Sequence, residues 1–292
     1  MTYRRWTRRM LLAGALGAAL ALTACGGQTS VDPPASTPDA IPGAVDVSNV
    51  PELQDGMLTV GSDISYAPME FFEEGTETPA GLDIDLAKAI ARKLGVQVEF
   101  ENTGYEGLLA FVNSGEFDIV MSALTITEDR QKLADFVPYL LVGTGILVPA
   151  GNPDDINGLE NLCGRTVTVV LGSIQSTLVS KLSDEQCDDP IDVVAFAKNP
   201  LAVQDLRTGG SDANLSDMPV ASFDAEQSDG ALEVVGTQID PAPYGIVVRK
   251  GSPELKAAIE AAVAALMASN EYAEILADWG LESTALEPMA SE

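Results

Sequence analysis

The sequence predicts an α/β fold arranged as two lobes, and three observations carry that expectation. Strand-like and helix-like segments alternate from residue 57 onward; the alternation lapses after residue 148 and restarts; and the last elements turn back toward the first unit.

Residues 1–24 (MTYRRWTRRMLLAGALGAALALTA) hold four arginines and no acid, and end in an apolar run rich in alanine and leucine. The run from Met10 to Ala24 is 15 residues, short of the roughly 20 that span a bilayer. It therefore reads as a removable export signal and not as an anchor helix. Arg8-Arg9 leaves a twin-arginine route open beside general secretion. Residues 25–50 are rich in Pro, Gly, Ser and Thr, the composition of a flexible linker.

Residues 57–60 read as a short strand. Residues 81–95 read as a helix, because Leu82, Leu86, Ile90 and Leu94 recur every fourth position, Asp83 and Asp85 sit near the positive end of its dipole, and Gly95 stops it. A strand at 96–100, a helix at 105–114 ended by Gly115 and a strand at 117–123 follow. Strands joined by helices imply a parallel sheet with right-handed crossovers. Beyond 142–148 the spacing predicts a strand at 165–171, a helix at 175–182, a strand at 191–196, a helix at 200–208 and a short strand at 212–215. A strand at 244–249 and helices at 252–269 and 271–279 then return to the first lobe, with Leu255, Ile259, Val263 and Leu266 sharing one helix face. The expected boundaries are 51–145 plus 246–285 for the first lobe, 146–245 for the second, and a tail at 286–292.

The chain has 44 acids against 16 bases and a net charge of −28, which becomes −32 once the signal's arginines are removed. A polyanion repels nucleic acid and anionic headgroups, so neither is an expected partner. No histidine occurs anywhere. Ser-His-Asp and Cys-His catalysis and histidine-bearing metal sites are therefore excluded, and no metal or cofactor is implied. Apart from Cys25, two cysteines remain, Cys163 and Cys187. In an exported chain they are expected to pair.

Residues 22–27, LTACGG, resemble the lipobox of bacterial lipoproteins, in which Cys25 becomes the lipid-modified first residue. Four longer blocks resemble the bacterial extracellular solute-binding proteins of polar amino-acid ABC importers: VGSDISYAPMEF (60–71), GLDIDLAKAIA (81–91), SALTITEDR (122–130) and YGIVVRKG (244–251). They occur in that family's order and span nearly the whole chain after the linker. The resemblance implies a periplasmic-binding-protein-like fold, with two lobes joined by two crossing hinge strands and a ligand cleft that closes on binding. It also implies a monomer held at the cell membrane, on the extracytoplasmic side, by its lipid alone and working with membrane permease subunits.

The ligand would be a polar amino acid, most simply a basic one. A dry cleft must pair both its carboxylate and its ammonium. The family motif gives the carboxylate to Arg130, whose guanidinium fork fits two oxygens, together with Thr125. The Ala123 carbonyl would accept from the ammonium, with Ser122 and Leu124 beside it, while Thr127, Glu128 and Asp129 start the helix that holds Arg130. Asp217 would pair the ammonium from the second lobe, although it also sits where a helix cap would. The loop 172–176 would add main-chain donors and the side chains of Ile174, Gln175 and Ser176. Tyr66 and Tyr105 match the family's aromatic pair flanking the ligand side chain. Asp63 would read its far end, with Glu70 and Tyr244 nearby. Arginine, lysine, ornithine or histidine would satisfy Asp63, and glutamine is the runner-up. Two other classes stand beside this reading: a dehydratase-like enzyme on the same scaffold, with Asp63 or Glu70 as general acid, and a sensor ectodomain, which needs a membrane helix that 252–292 cannot supply.

Overall fold

The computed structural model describes residues 41–286. The expected signal, Cys25 and the last six residues lie outside the described residues.

Residues 41–50, which composition assigns to the linker, are packed structure. The Val45 N–H donates to the Lys93 carbonyl at 2.8 Å, the Lys93 ammonium donates to the Pro42 carbonyl at 3.1 Å, and Val50 is buried. Val45, Val47 and Val50 give this stretch apolar anchors that its proline and serine content obscures.

Strand β1 (Met57–Ser62) leads to a small ladder of β2 (Phe71–Phe72) with β3 (Pro79–Ala80), then to helix α1 (Leu82–Leu94). Gly81 makes that entry possible: at φ +129° a side chain is strained, and a Cβ would collide with the Met69 carbonyl. Gly95 ends α1 in the left-handed region. Next come β4 (Gln97–Asn102), α2 (Leu108–Ser114), β5 (Ile119–Val120) and α3 (Glu128–Leu133). Strand β5 is far shorter than the expected 117–123, and at Ala123 the chain enters the left-handed region with φ +47°.

Strand β6 (Ala134–Pro149) is followed by β7 (Thr166–Val170), α4 (Ile174–Gln186), β8 (Asp192–Phe196), α5 (Asn199–Arg207), β9 (Ala213–Asp217) and α6 (Met218–Gln227). Strand β10 (Leu232–Arg249) and helices α7 (Pro253–Ala268) and α8 (Glu271–Asp278) complete the chain. Helix α6 and the first half of β10 exceed what the sequence pattern predicts. Asp240, Pro241 and Pro243 interrupt the strand signal inside β10.

Eight strands form one sheet in the order β4-β1-β5-β10-β6-β9-β7-β8. β1 pairs parallel with β4 and β5, and β7 pairs parallel with β8 and β9. Between these parallel sets run β6 and β10, antiparallel to each other from Leu232↔Pro149 to Arg249↔Ala134. Three register shifts interrupt that pairing, between Val235 and Ile239, Ile239 and Ala242, and Tyr244 and Gly245.

Buried side chains gather in separate clusters on the two sides of this pair. Leu58, Val60, Leu86, Ile90, Ile246 and Ile259 belong to the largest, with Leu108, Val120 and Val247 in a neighbouring one. Val148, Val167, Val179 and Leu215 form a third, and Leu147, Leu206, Ala221 and Leu232 a fourth. The expected disulfide is formed between Cys163 and Cys187, tying the segment before β7 to the end of α4, and Cys187 packs against the third cluster. Among the described residues no helix is long and apolar enough to cross a membrane.

Candidate functional site

The stretch from Ser122 to Arg130 leaves the sheet beside β10. The Gly245 N–H donates to the Leu124 carbonyl and the Ile126 N–H to the Pro243 carbonyl. Ala123 holds its left-handed conformation because Asp83 Oδ2 accepts its N–H at 2.8 Å. The same oxygen accepts from the Tyr139 hydroxyl at 2.8 Å. Thr127 caps α3 by accepting the Arg130 N–H on its hydroxyl at 3.2 Å. Glu128 and Asp129 occupy the exposed first turn, where acids favour the dipole. The Arg130 guanidinium reaches back to the Thr125 carbonyl at 2.7 Å and out to the Tyr105 hydroxyl at 3.0 Å and the Gly172 carbonyl at 3.2 Å. Its carbon lies 5.8 Å from the Tyr105 ring centroid.

Asp217 ends β9 and is 4% exposed. It does not cap α6 with its side chain. Its carboxylate instead accepts from the Tyr66 hydroxyl at 2.7 Å and from Gln175 Nε2 at 3.0 Å. Burial pushes its carboxyl above the ordinary value, opposed by the hydroxyls of Tyr66 and Tyr244, the Gln175 amide and the charge of Arg130.

Asp63 stands at the end of β1, buried. Its Oδ1 accepts from the Ser65 hydroxyl at 2.7 Å and lies 3.9 Å from the Lys198 ammonium. Burial raises this carboxyl as well, countered by Ser65, Lys198 and the Tyr105 N–H. Glu70 differs. Its Oε1 accepts from the Ser122 hydroxyl at 2.7 Å, and that hydroxyl accepts from the Asp63 N–H at 3.0 Å. Its other oxygen faces Asp83, and both carboxyls are held well above their ordinary values by burial, Asp83 at about 7. Two buried carboxyls in contact cannot both ionise, so the pair keeps one proton and Glu70 is its acid partner.

A single cavity unites most of the sequence-predicted residues: Asp63, Tyr66, Glu70, Tyr105, Ala123, Thr125, Ile174, Gln175 and Asp217 line it. Arg130 stands at its edge, through Tyr105 and Thr125. Four predicted residues lie behind the wall. Ser122 is spent on Glu70 and Asp63, and Leu124 belongs to a hydrophobic cluster. The Ser176 N–H is taken by the Ser173 hydroxyl that caps α4. Tyr244 is fully buried with its ring 6.0 Å from that of Tyr139. Sequence reasoning gave Ser173 only as part of the loop 172–176, and missed Val170 and Asn199, which also line the cavity, and Lys198 beside Asp63. The run Ala197-Lys-Asn-Pro200 carries no motif; only the start of a helix behind a strand marks its place. Among the described residues no cluster of carboxylate, cysteine or histidine side chains is fit to hold a metal ion.

The mixed sheet with its two long antiparallel strands, and the cavity lined from both sides of them, define a periplasmic-binding-protein-like receptor for a small solute. The chain belongs to the bacterial extracellular solute-binding proteins, family 3, whose model matches residues 58–282. It is 31% identical over 244 residues to the arginine-binding protein ArgT of Corynebacterium glutamicum, covering 82% of this chain and 79% of that one. It is 32% identical over 287 residues to a probable histidine-binding protein of Neisseria gonorrhoeae, covering 96% of each. A solved ancestral arginine-binding protein bound to arginine superimposes with a TM-score of 0.73 at 38% identity, covering 77% of this chain and 98% of that one.

Proposed function

We propose that this chain is the substrate-binding component of an ABC importer, that it captures a basic amino acid, and that it delivers it to permease subunits in the membrane. One arrangement carries the reading: Asp63, Thr125 and Asp217 line one cavity, and Arg130 stands at its edge, bonded to the Thr125 carbonyl. An amino acid laid across them has its carboxylate on Arg130 and Thr125, its ammonium on Asp217 and the Ala123 carbonyl, and its side chain between Tyr66 and Tyr105 toward Asp63. A cationic side chain offsets the cost of keeping Asp63 ionised in a buried place. In this reading lobe 1 takes residues 51–145 and 246–285 and lobe 2 takes 146–245. The ligand bridges them, so each lobe gains from closing.

Export, removal of residues 1–24 and lipidation at Cys25 would place the receptor on the outer face of the cell membrane, as a monomer free to meet its permease. The role is capture without turnover.

Glutamine is the second reading, and Lys198 favours it. A lysine already 3.9 Å from Asp63 supplies positive charge there, and an amide side chain would not compete with it.

A thermal-shift screen of the purified protein against the twenty amino acids and ornithine tests the proposal. A ligand at about 100 times its dissociation constant stabilises by about 2.7 kcal/mol. Stabilisation by arginine, lysine, ornithine or histidine above all others is expected, and chemical change of any bound ligand contradicts the receptor role.

A further inference from the structure

Asn199 opens α5 and is 3% exposed, yet it lines the cavity. Its amide is not free to turn. The Nδ2 group donates to Asp224 Oδ2 at 2.8 Å, and Asp224 lies on α6. Burial raises the Asp224 carboxyl to about 6; above that it is ionised, accepts hydrogen bonds and does not donate them, and so fixes which end of the amide it holds. The other end, Oδ1, is buried and has no hydrogen-bond partner among the described residues. A buried carbonyl oxygen without a partner is costly to keep. One that lines a cavity, held in orientation by a dedicated carboxylate, is an acceptor waiting for a donor. Asp63 lines the same cavity, and the ammonium of Lys198, the residue before Asn199, reaches to 3.9 Å from its carboxylate.

We infer that Asn199 is a specificity-determining residue: its Oδ1 accepts a hydrogen bond from the side chain of the bound amino acid, and Asp224 is the positioning residue that keeps that oxygen turned toward the ligand. This rests on the amino-acid receptor reading above and deepens it. Asp63 and Asn199 together offer two acceptors from different elements. A planar group with N–H donors on separate edges, a guanidinium foremost and a primary amide next, uses both. A compact ammonium is met by Asp63 alone.

Calorimetric titration of the purified protein with L-arginine and with L-lysine tests this, comparing wild type, Asn199→Leu and Asp224→Asn. Asn199→Leu is expected to weaken arginine by about tenfold or more and lysine by less than about threefold. Asp224→Asn, which leaves the Asn199 amide free to turn, is expected to shift the arginine-to-lysine ratio in the same direction. If Asn199→Leu loses its cooperative unfolding transition, the ratio in Asp224→Asn decides. Arginine binding kept within about threefold, or equal weakening of both ligands, overturns the inference. A wild-type protein that binds none of the amino acids overturns the receptor reading and this one with it, whereas normal wild-type binding with an indifferent Asn199 overturns this one alone.

Discussion

The Tyr66 hydroxyl makes a two-way contact with Asp217, donating to Oδ2 at 2.7 Å and accepting the Asp217 backbone N–H at 3.0 Å. Tyr66 follows β1 and Asp217 ends β9, so one phenol joins the two sides of the cavity. Tyr66→Phe removes a donor from a buried carboxylate and an acceptor from a buried N–H. The expected loss of stability is about 1–3 kcal/mol, read as a lower urea midpoint with an unchanged slope. Ligand affinity should fall as well, because Asp217 loses its alignment. An unchanged midpoint would show that the contact is idle.

Glu70 and Asp83 tie stability to pH. Burial raises both carboxyls, Asp83 from 3.8 to about 7, so the folded protein holds a proton that the unfolded chain releases. A group whose folded value is raised gives stability that is fully present below its unfolded value and is lost as pH rises through the folded one. Stability should therefore decline as pH rises above 4.5, the ordinary value of the Glu70 carboxyl, by up to about 1.4 kcal/mol per pH unit for that one proton. Glu70→Gln mimics the protonated acid, since its amide donates to Asp83 and its oxygen still accepts from Ser122. Urea unfolding across this range should show a flatter profile in Glu70→Gln. Repulsion among the chain's many other acids adds a slope common to both proteins, and an identical slope in the two would remove the shared proton.

The Cys163–Cys187 bond closes a loop with a sequence separation of 24. On the chain-entropy model its removal costs about 3 kcal/mol. Neither cysteine lines the cavity, so the double serine variant should melt earlier yet bind its ligand as before. Measuring both the unfolding midpoint and the dissociation constant separates the two effects, and a large loss of affinity would tie the bond to the site.

Asp63→Asn should discriminate by ligand charge. Truncating one side of a buried charge pair costs about 2–5 kcal/mol, so affinity for a basic amino acid should drop steeply while glutamine, which brings no charge, loses little. Titrations with both ligands check this. An unchanged preference would show that Asp63 is not the selector.

The site's backbone was legible because its residues sit in blocks where chain direction changes. Asp63 and Tyr66 follow β1, Thr125 and Arg130 follow β5, Gln175 follows β7, and Asp217 ends β9, each at a strand's exit where open α/β sheets bind ligands. Helices α1 and α7 were legible from periodicity and from Gly95. What failed to show depends on side-chain direction. Ser122, Leu124 and Tyr244 stand in the right blocks but point into the wall, because Glu70, the core and Tyr139 claim them. Asp83 looked like helix-start chemistry, yet it is buried and grips Ala123 and Tyr139. Asn199 reaches the cavity, and Lys198 reaches Asp63, only through packing of α5 against residues distant in sequence, which no local pattern records.

Arg130 is proposed to hold the carboxylate of the bound amino acid, and titration of L-arginine into wild type and Arg130→Ala tests that role. Thr127 and the first turn of α3 do not depend on the guanidinium, so the variant should unfold cooperatively. Saturable binding of one arginine per wild-type chain is expected, with a loss of about 3 kcal/mol or more in Arg130→Ala, the cost of leaving a carboxylate unpaired in a closed site. Binding by Arg130→Ala within a few-fold of wild type would contradict it.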